Sequence, residues 1–190
     1  MNRRYLFGVL GVITALLLLL VFVLNRGGND TPTSTADKPA LTKLVDYADK
    51  NSIVSMTIVG KLVGEEEHRS IRIVVTPTER SLQVLSGYEQ NIISAQTYPN
   101  TKAAYENFLS ALGGQGFLSY KKSPITDQRS TCPTGNRYVY DVTLDGQSVS
   151  NLWNVNCDKS GTFAGKGATI RQLFERQIPE YNKQITGIKL

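Results

Sequence analysis

The chain has 190 residues, 41% of them hydrophobic and 19% charged, which places it among ordinary folded proteins and allows one well-buried core. Its formal net charge is +5, from 21 basic against 16 acidic residues. The basic residues are scattered and form no stripe, which argues against a nucleic-acid-binding surface.

The N-terminus departs from that average. Tyr5 to Leu24, "YLFGVLGVITALLLLLVFVL", carries no charge, and at about 1.5 Å per helical residue it reaches roughly 30 Å, the hydrocarbon thickness of a bilayer. The run ends in "NRGGND" rather than in a small-residue cleavage site, so it reads as an uncleaved signal anchor, with a cleaved signal as the alternative. Arg3 and Arg4 before the span favour a cytoplasmic N-terminus. They also suggest a twin-arginine signal, but the apolar run is stronger than such signals carry. Residues 1–4 are therefore expected as a cytoplasmic tail, 5–24 as a transmembrane helix in contact with the lipid bilayer, and the remainder as extracytoplasmic.

Residues 25–39, "NRGGNDTPTSTADKP", lack apolar periodicity and read as a flexible linker. The folded domain is expected over 40–190. It opens with a helix in "ALTKLVDYADKN", where Leu41, Leu44, Val45 and Ala48 fall on one face. Strands follow: "SIVSMTIVGKL" places Val54, Met56, Ile58 and Leu62 at every second position, and "HRSIRIVVT" does so with Ile71, Ile73 and Val75, turning Arg72 away. "VGEEEH" connects them as a hairpin. A third strand, "SLQVL", follows the turn at "TPTE", and residues 88–97 either continue it past a bend at Gly87 or form another.

Pro99, Asn100 and Thr101 signal the start of a second helix, in which Ala104, Tyr105, Phe108, Leu109 and Leu112 share a face and Gly113 with Gly114 ends it. "GFLSYKK" reads as a strand and 123–136 as loop. "RYVYDVTLDGQSVSNLWNVNC" reads as a hairpin turning at Asp145 and Gly146. In "ATIRQLFERQIPEYNKQI" a helical spacing of Ile170, Leu173, Phe174, Ile178, Tyr181 and Ile185 is interrupted by Pro179. Short turns between successive strands favour antiparallel pairing. The expected fold class is α+β, a mostly antiparallel sheet packed by two or three helices and preceded by the transmembrane helix.

A regular register from the Asp145-Gly146 turn pairs Leu144 with Gln147, Val142 with Val149 and Tyr138 with Trp153, and places Cys157 opposite Thr134. Cys132 then lies diagonally beyond Cys157 on the same face, within reach once the "CPTG" turn draws the chain inward. A Cys132–Cys157 disulfide is expected in an exported domain. Closing a loop of about 26 residues stabilises by roughly 3.5 kcal/mol in the chain-entropy account. The rival uses of these sulfurs lack partners: a cysteine nucleophile wants a base, and the single histidine, His68, sits in the polar hairpin "EEEHR", where a solvated side chain is expected. Zinc wants four closely spaced ligands.

"SGTFAGKGATIRQLF" resembles a P-loop. Gly161 stands one place too near Gly165-Lys166, however, and Gly167 replaces the magnesium-binding Ser or Thr, so the segment reads as a tight turn docking the last helix. Glu65 to Glu67 read as a solvated hairpin tip, and Asp141 with Asp145 lacks EF-hand spacing. Tyr105, Tyr138 and Tyr181 read as core-edge residues with Trp153 as neighbour. No catalytic residue, cofactor or metal is assigned.

The basic N-terminus, span, Thr-rich linker and domain with "TCPTGNRYVY", "LWNVNC", "GTFAG" and "LFERQIP" resemble the N-terminally anchored extracytoplasmic proteins of bacteria with reduced genomes. The resemblance covers the whole chain and implies location and architecture, with no activity attached. Type IV pilins also anchor by an N-terminal apolar helix, but their early glutamate is missing here. The expected role is a non-enzymatic envelope module that binds a protein or a wall polymer, or supports a membrane complex, including one that recognises it through the membrane helix. The rival expectation is an envelope polymer hydrolase or transferase acting through paired carboxylates.

Overall fold

A computed structural model describes residues 43–49, 51–125 and 127–190. The expected tail, span and linker lie outside the described residues, among which no helix is long and apolar enough to cross a membrane. Six strands form one sheet: β1 (Ser52–Val59), β2 (Arg69–Val75), β3 (Glu79–Ser86), β4 (Asn91–Pro99), β5 (Arg137–Leu144) and β6 (Gln147–Val155). Their order is β4-β3-β2-β1-β5-β6, and every pairing is antiparallel. The fold is therefore the expected α+β class. β1 to β4 run as a meander, and the chain then crosses one face of the sheet before β5 joins the free side of β1.

That crossing is made by α1 (Lys102–Gly114), and the same face later receives α2 (Gly167–Glu175) and α3 (Tyr181–Gln184). Thr101 caps α1 by accepting the Ala104 N–H at 3.2 Å, and Tyr105, Phe108, Leu109 and Leu112 are buried along its expected face, while Ala104 stays exposed. Even-numbered residues of β1, Val54, Met56 and Ile58, meet this helix layer together with Ile71, Ile73 and Val75 of β2 and Tyr138, Tyr140 and Val142 of β5. Phe108 packs edge-on against Phe174 at 5.1 Å, which ties α1 to α2 over the sheet. Pro179 ends the last helical run as expected: α2 stops at Glu175, Glu180 is left-handed at φ 51°, and α3 is a separate turn. Ile170, Phe174, Ile178 and Tyr181 nonetheless all reach the core.

Several expectations are corrected. The first helix is a single 3-10 turn, Leu44–Tyr47. Leu44, Tyr47 and Ala48 are buried and Val45 is exposed. The chain has to turn at once into β1, where the Ser52 hydroxyl donates to the Tyr47 carbonyl at 2.7 Å, leaving no room for a second turn. Leu62 is exposed because β1 ends at Val59 and the alternation lapses. Of the two readings open for residues 88–97, the structure takes the second: after a turn at Gly87 to Gln90 a separate strand, β4, begins at Asn91. "GFLSYKK" is not a strand: Tyr120 makes one isolated bridge to Phe163, and Phe117 is buried in the helix-side core. Its backbone is taken instead by the segment leading into α2, through the Ala164 N–H donating to the Ser119 carbonyl (2.8 Å) and the Lys121 N–H donating to the Thr162 carbonyl (2.8 Å).

The β5–β6 hairpin turns at Asp145 and Gly146 as expected, both at positive φ (49° and 80°), and Leu144 pairs with Gln147. The register then shifts between Val142 and Thr143, so Val142 faces Ser150, Tyr138 faces Asn154, and Trp153 faces Val139. Val149 is the extra residue of a β-bulge. Because side chains alternate with period two, one inserted residue moves the rest of β6 to the other face. Trp153 therefore leaves the tyrosines it was expected to join and packs with Cys132, Val155, Ile125 and Val139 on the side away from the helices. Tyr105, Tyr138 and Tyr181 remain on the helix side, buried as expected.

Candidate functional site

With α1, α2 and α3 on one side, the other face of β2, β1 and β5 is left to two loops, one of which contains a 3-10 turn at Gln128–Ser130. Odd-numbered residues of β1 and β5 and even-numbered residues of β2 point there. Ile53, Ser55 and Thr57 from β1, Arg72 and Val74 from β2, and Arg137, Val139, Asp141 and Thr143 from β5 form the floor of a cleft of about 620 Å³. One wall is the loop carrying Gln128, Arg129, Thr131 and Cys132, and the other is the turn carrying Tyr88 and Gln90 together with His68.

The disulfide holds the first wall. Cys132 and Cys157 are joined, with Cα atoms 6.0 Å apart, as the sequence predicts. The turn at Cys132 is closed by the Gly135 N–H donating to the Cys132 carbonyl at 3.2 Å, and Asn136 N–H donates to Asn156 Oδ1 at 2.9 Å. The sulfur expected to staple the hairpin thus also shapes the cleft.

His68 forms the second wall and corrects the expectation of a solvated side chain, being 1% exposed. It lies one residue before β2, on the cleft face, and the Gly87 to Gln90 turn folds over it. Its ring stacks on Tyr88 with centroids 4.2 Å apart, and Nδ1 donates to the Gly87 carbonyl at 3.2 Å. Glu65 fastens the same turn by accepting the Tyr88 N–H at 3.0 Å; Glu65 to Glu67 are exposed as expected.

Between the walls the charges are unequal. Arg72 Nε donates to Thr57 Oγ1 at 3.2 Å, and its Nη2 donates to Gln90 Oε1. Burial pushes this guanidinium below its ordinary value, opposed by the Asp141 carboxylate. Burial does the same to Arg137, with Asp127 opposing and Arg129 adding to the shift; its Nη1 donates to the Gln128 carbonyl at 3.1 Å. Guanidinium keeps its proton in proteins, so both stay charged at neutral pH. Arg129 is exposed and paired with Asp127. Asp141 accepts from Thr143 Oγ1 (2.9 Å), Ser148 Oγ (2.7 Å) and Asn151 Nδ2 (3.1 Å).

No protein-family model matches the chain, and the search of curated proteins finds no match. The geometry of the cleft therefore carries the functional reading. Among the described residues no cluster of three or more His, Cys, Asp or Glu could hold a metal. The glycine-rich segment before α2 spends the Ala164 and Lys166 amides on the carbonyls of 115–119, which makes it the docking turn the sequence predicts. The sequence places Arg72 away from the core but does not single out Arg137, and it reads Asp141 only against calcium loops. Alternation in "RYVYDVTL" puts Arg137, Val139, Asp141 and Thr143 on one face. What it cannot supply is that β1 lies between β5 and β2, which brings Arg72 to the same surface.

Proposed function

We propose that this protein is a membrane-anchored binding or assembly module of the cell envelope, held to the bilayer by residues 5–24 and presenting the cleft on the face of its extracytoplasmic sheet opposite α1, α2 and α3. The observation that carries the reading is the cleft itself, a concave site of ligand size with a mixed apolar and polar floor and two loop walls. The disulfide agrees with an oxidising compartment outside the cytoplasm. For the rival chemistry of paired carboxylates, the described residues lining the cleft offer Asp141 alone, and that group is occupied by three donors.

The test is photo-crosslinking in intact cells with the full-length chain, the reactive residue replacing Ser55 or Thr143 in the cleft, or Gln172 on the helix side. Capture of one envelope component from both cleft positions and not from Gln172 is expected. Capture from Gln172 alone, or turnover of an envelope polymer lost in Asp141→Asn, would overturn the reading.

A further inference from the structure

Two guanidiniums are kept half-buried in the cleft, with Asp141 in electrostatic reach of Arg72 and Asp127 in reach of Arg137. Among the described residues the ion pairs join Lys102 to Asp49 and Glu106, Arg129 to Asp127, Arg171 to Glu175 and Lys183 to Glu180; neither Arg72 nor Arg137 takes part. Each guanidinium has five N–H donors. Arg72 directs one to Thr57 and one to Gln90, and Arg137 directs one to Gln128 while its buried Nε has no partner. Asp141, the carboxylate among the described lining residues, accepts from three neutral donors and is one negative charge against the two guanidiniums. Holding charge out of water costs free energy unless a counter-charge arrives, and this cleft has the donors for one.

The spacing of the two groups narrows the ligand. Arg72 pairs across to Thr57 and Thr57 to Val139, so Arg72 and Arg137 stand two strands and two residues apart, about 12 Å between Cα atoms. A ligand meeting both with separate oxyanions carries acids repeated along its length. Val139 lies between them, level with Arg72, and Val74 and Ile53 continue the floor past Arg72 on the side away from Arg137; a polyphosphate or a bare headgroup leaves these apolar side chains unmatched. Arginine beside branched apolar residues is what protein-binding surfaces present.

We infer that the cleft binds an acidic segment of a partner protein, with carboxylates on Arg72 and Arg137 and apolar side chains on the floor that runs past Arg72 over Val139, Val74 and Ile53. The inference rests on the proposed binding role and names the chemistry of that same site.

The test uses full-length protein in zwitterionic nanodiscs, against which a display library of random decapeptides is selected. Enriched sequences should combine Asp or Glu with branched apolar residues. The tightest of them, fluorescently labelled, should lose about tenfold or more in affinity in Arg72→Gln or Arg137→Gln protein. Replacing its own Glu by Gln should lose as much with wild-type protein, a comparison that does not depend on how the variants fold. Enrichment without acids, no enrichment, binding indifferent to both arginines, or tighter binding of polyphosphate or phosphatidylglycerol vesicles than of the peptide would each overturn the inference. A non-acidic component crosslinked from Ser55 would overturn it while leaving the binding role standing.

Discussion

Gly165 and Gly113 should respond in opposite ways to an added methyl group. A Cβ on Gly165 would stand 2.3 Å from the Gly116 carbonyl oxygen and 2.6 Å from Phe163, whereas one on Gly113 meets nothing within 4 Å. Gly165→Ala is expected to destabilise by about 2–3 kcal/mol, since backbone must move to admit it. Gly113→Ala, in the last turn of α1, should stabilise by about 0.5 kcal/mol by narrowing the unfolded ensemble. Urea unfolding of the two variants checks both signs, and equal effects would refute the close docking of 165 on 116. In sequence the two glycines look alike: each ends or begins a helix. His68 shows the same limit from the other side. Its neighbours Glu65 to Glu67 are polar, so it reads as solvated. Only the turn at Gly87 to Gln90, some twenty residues on, buries it against Tyr88.

Among the elements, the β5–β6 hairpin shows how one residue redirects a strand. Its turn and its first pair are legible from Asp145-Gly146, but Val149 gives no local sign that it will bulge, because either register offers acceptable pairs near the turn. The bulge is favoured by what it does further along. It puts Leu152 in the helix-side core and Trp153 with Val155 under the disulfide loop, where an unshifted strand would exchange them. Deleting Val149 removes the inserted residue and leaves Val142 opposite Ser150 and Val139 opposite Trp153, so it should cost only about 1–2 kcal/mol, for the contact Val149 makes with the helix-side core. The emission of Trp153, the single tryptophan, should stay that of a buried indole. A deletion variant whose emission moves to that of an exposed indole would show that the pairing with β5 does not set the face of β6. The helices were easier to read: α1 has its cap, face and stop in one contiguous stretch, whereas the turn at Leu44 to Tyr47 is shortened by its connection to β1, which its own periodicity does not encode.

For the domain as a whole, the buried phenols make stability a function of alkaline pH. Burial pushes Tyr105 and Tyr181 from 10.0 up to about 12, the Ser52 hydrogen bond opposing it at Tyr105, and pushes Tyr140 further still. The unfolded chain loses these protons near 10 and the folded one only near 12. Stability from these groups is therefore complete below about pH 10 and is lost as pH rises from there through 12. Phenolate absorbance followed together with circular dichroism should show a late group of tyrosines that ionises only as the sheet unfolds. Ionisation of every tyrosine near pH 10 with the dichroism intact would contradict the burial of these three rings. They lie on three different elements, β5, α1 and α3, so the transition reports on the helix-to-sheet interface.

By itself, the sequence determined what depends on neighbours along the chain: the uncharged run at 5–24, the α+β class, the alternation of β1, β2 and β5, the cap of α1, the break at Pro179 and the pairing of the two cysteines. These follow from period, turn chemistry and residue type, which act over a few positions or, for the cysteines, through one hairpin. Tertiary structure alone decided which strands adjoin, that all three helices share one face, and hence that Arg72, Arg137 and Asp141 meet in one cleft. The physical reason is that strand order and register are set by the total burial of both sheet faces, a sum over the whole domain to which each local segment contributes only part.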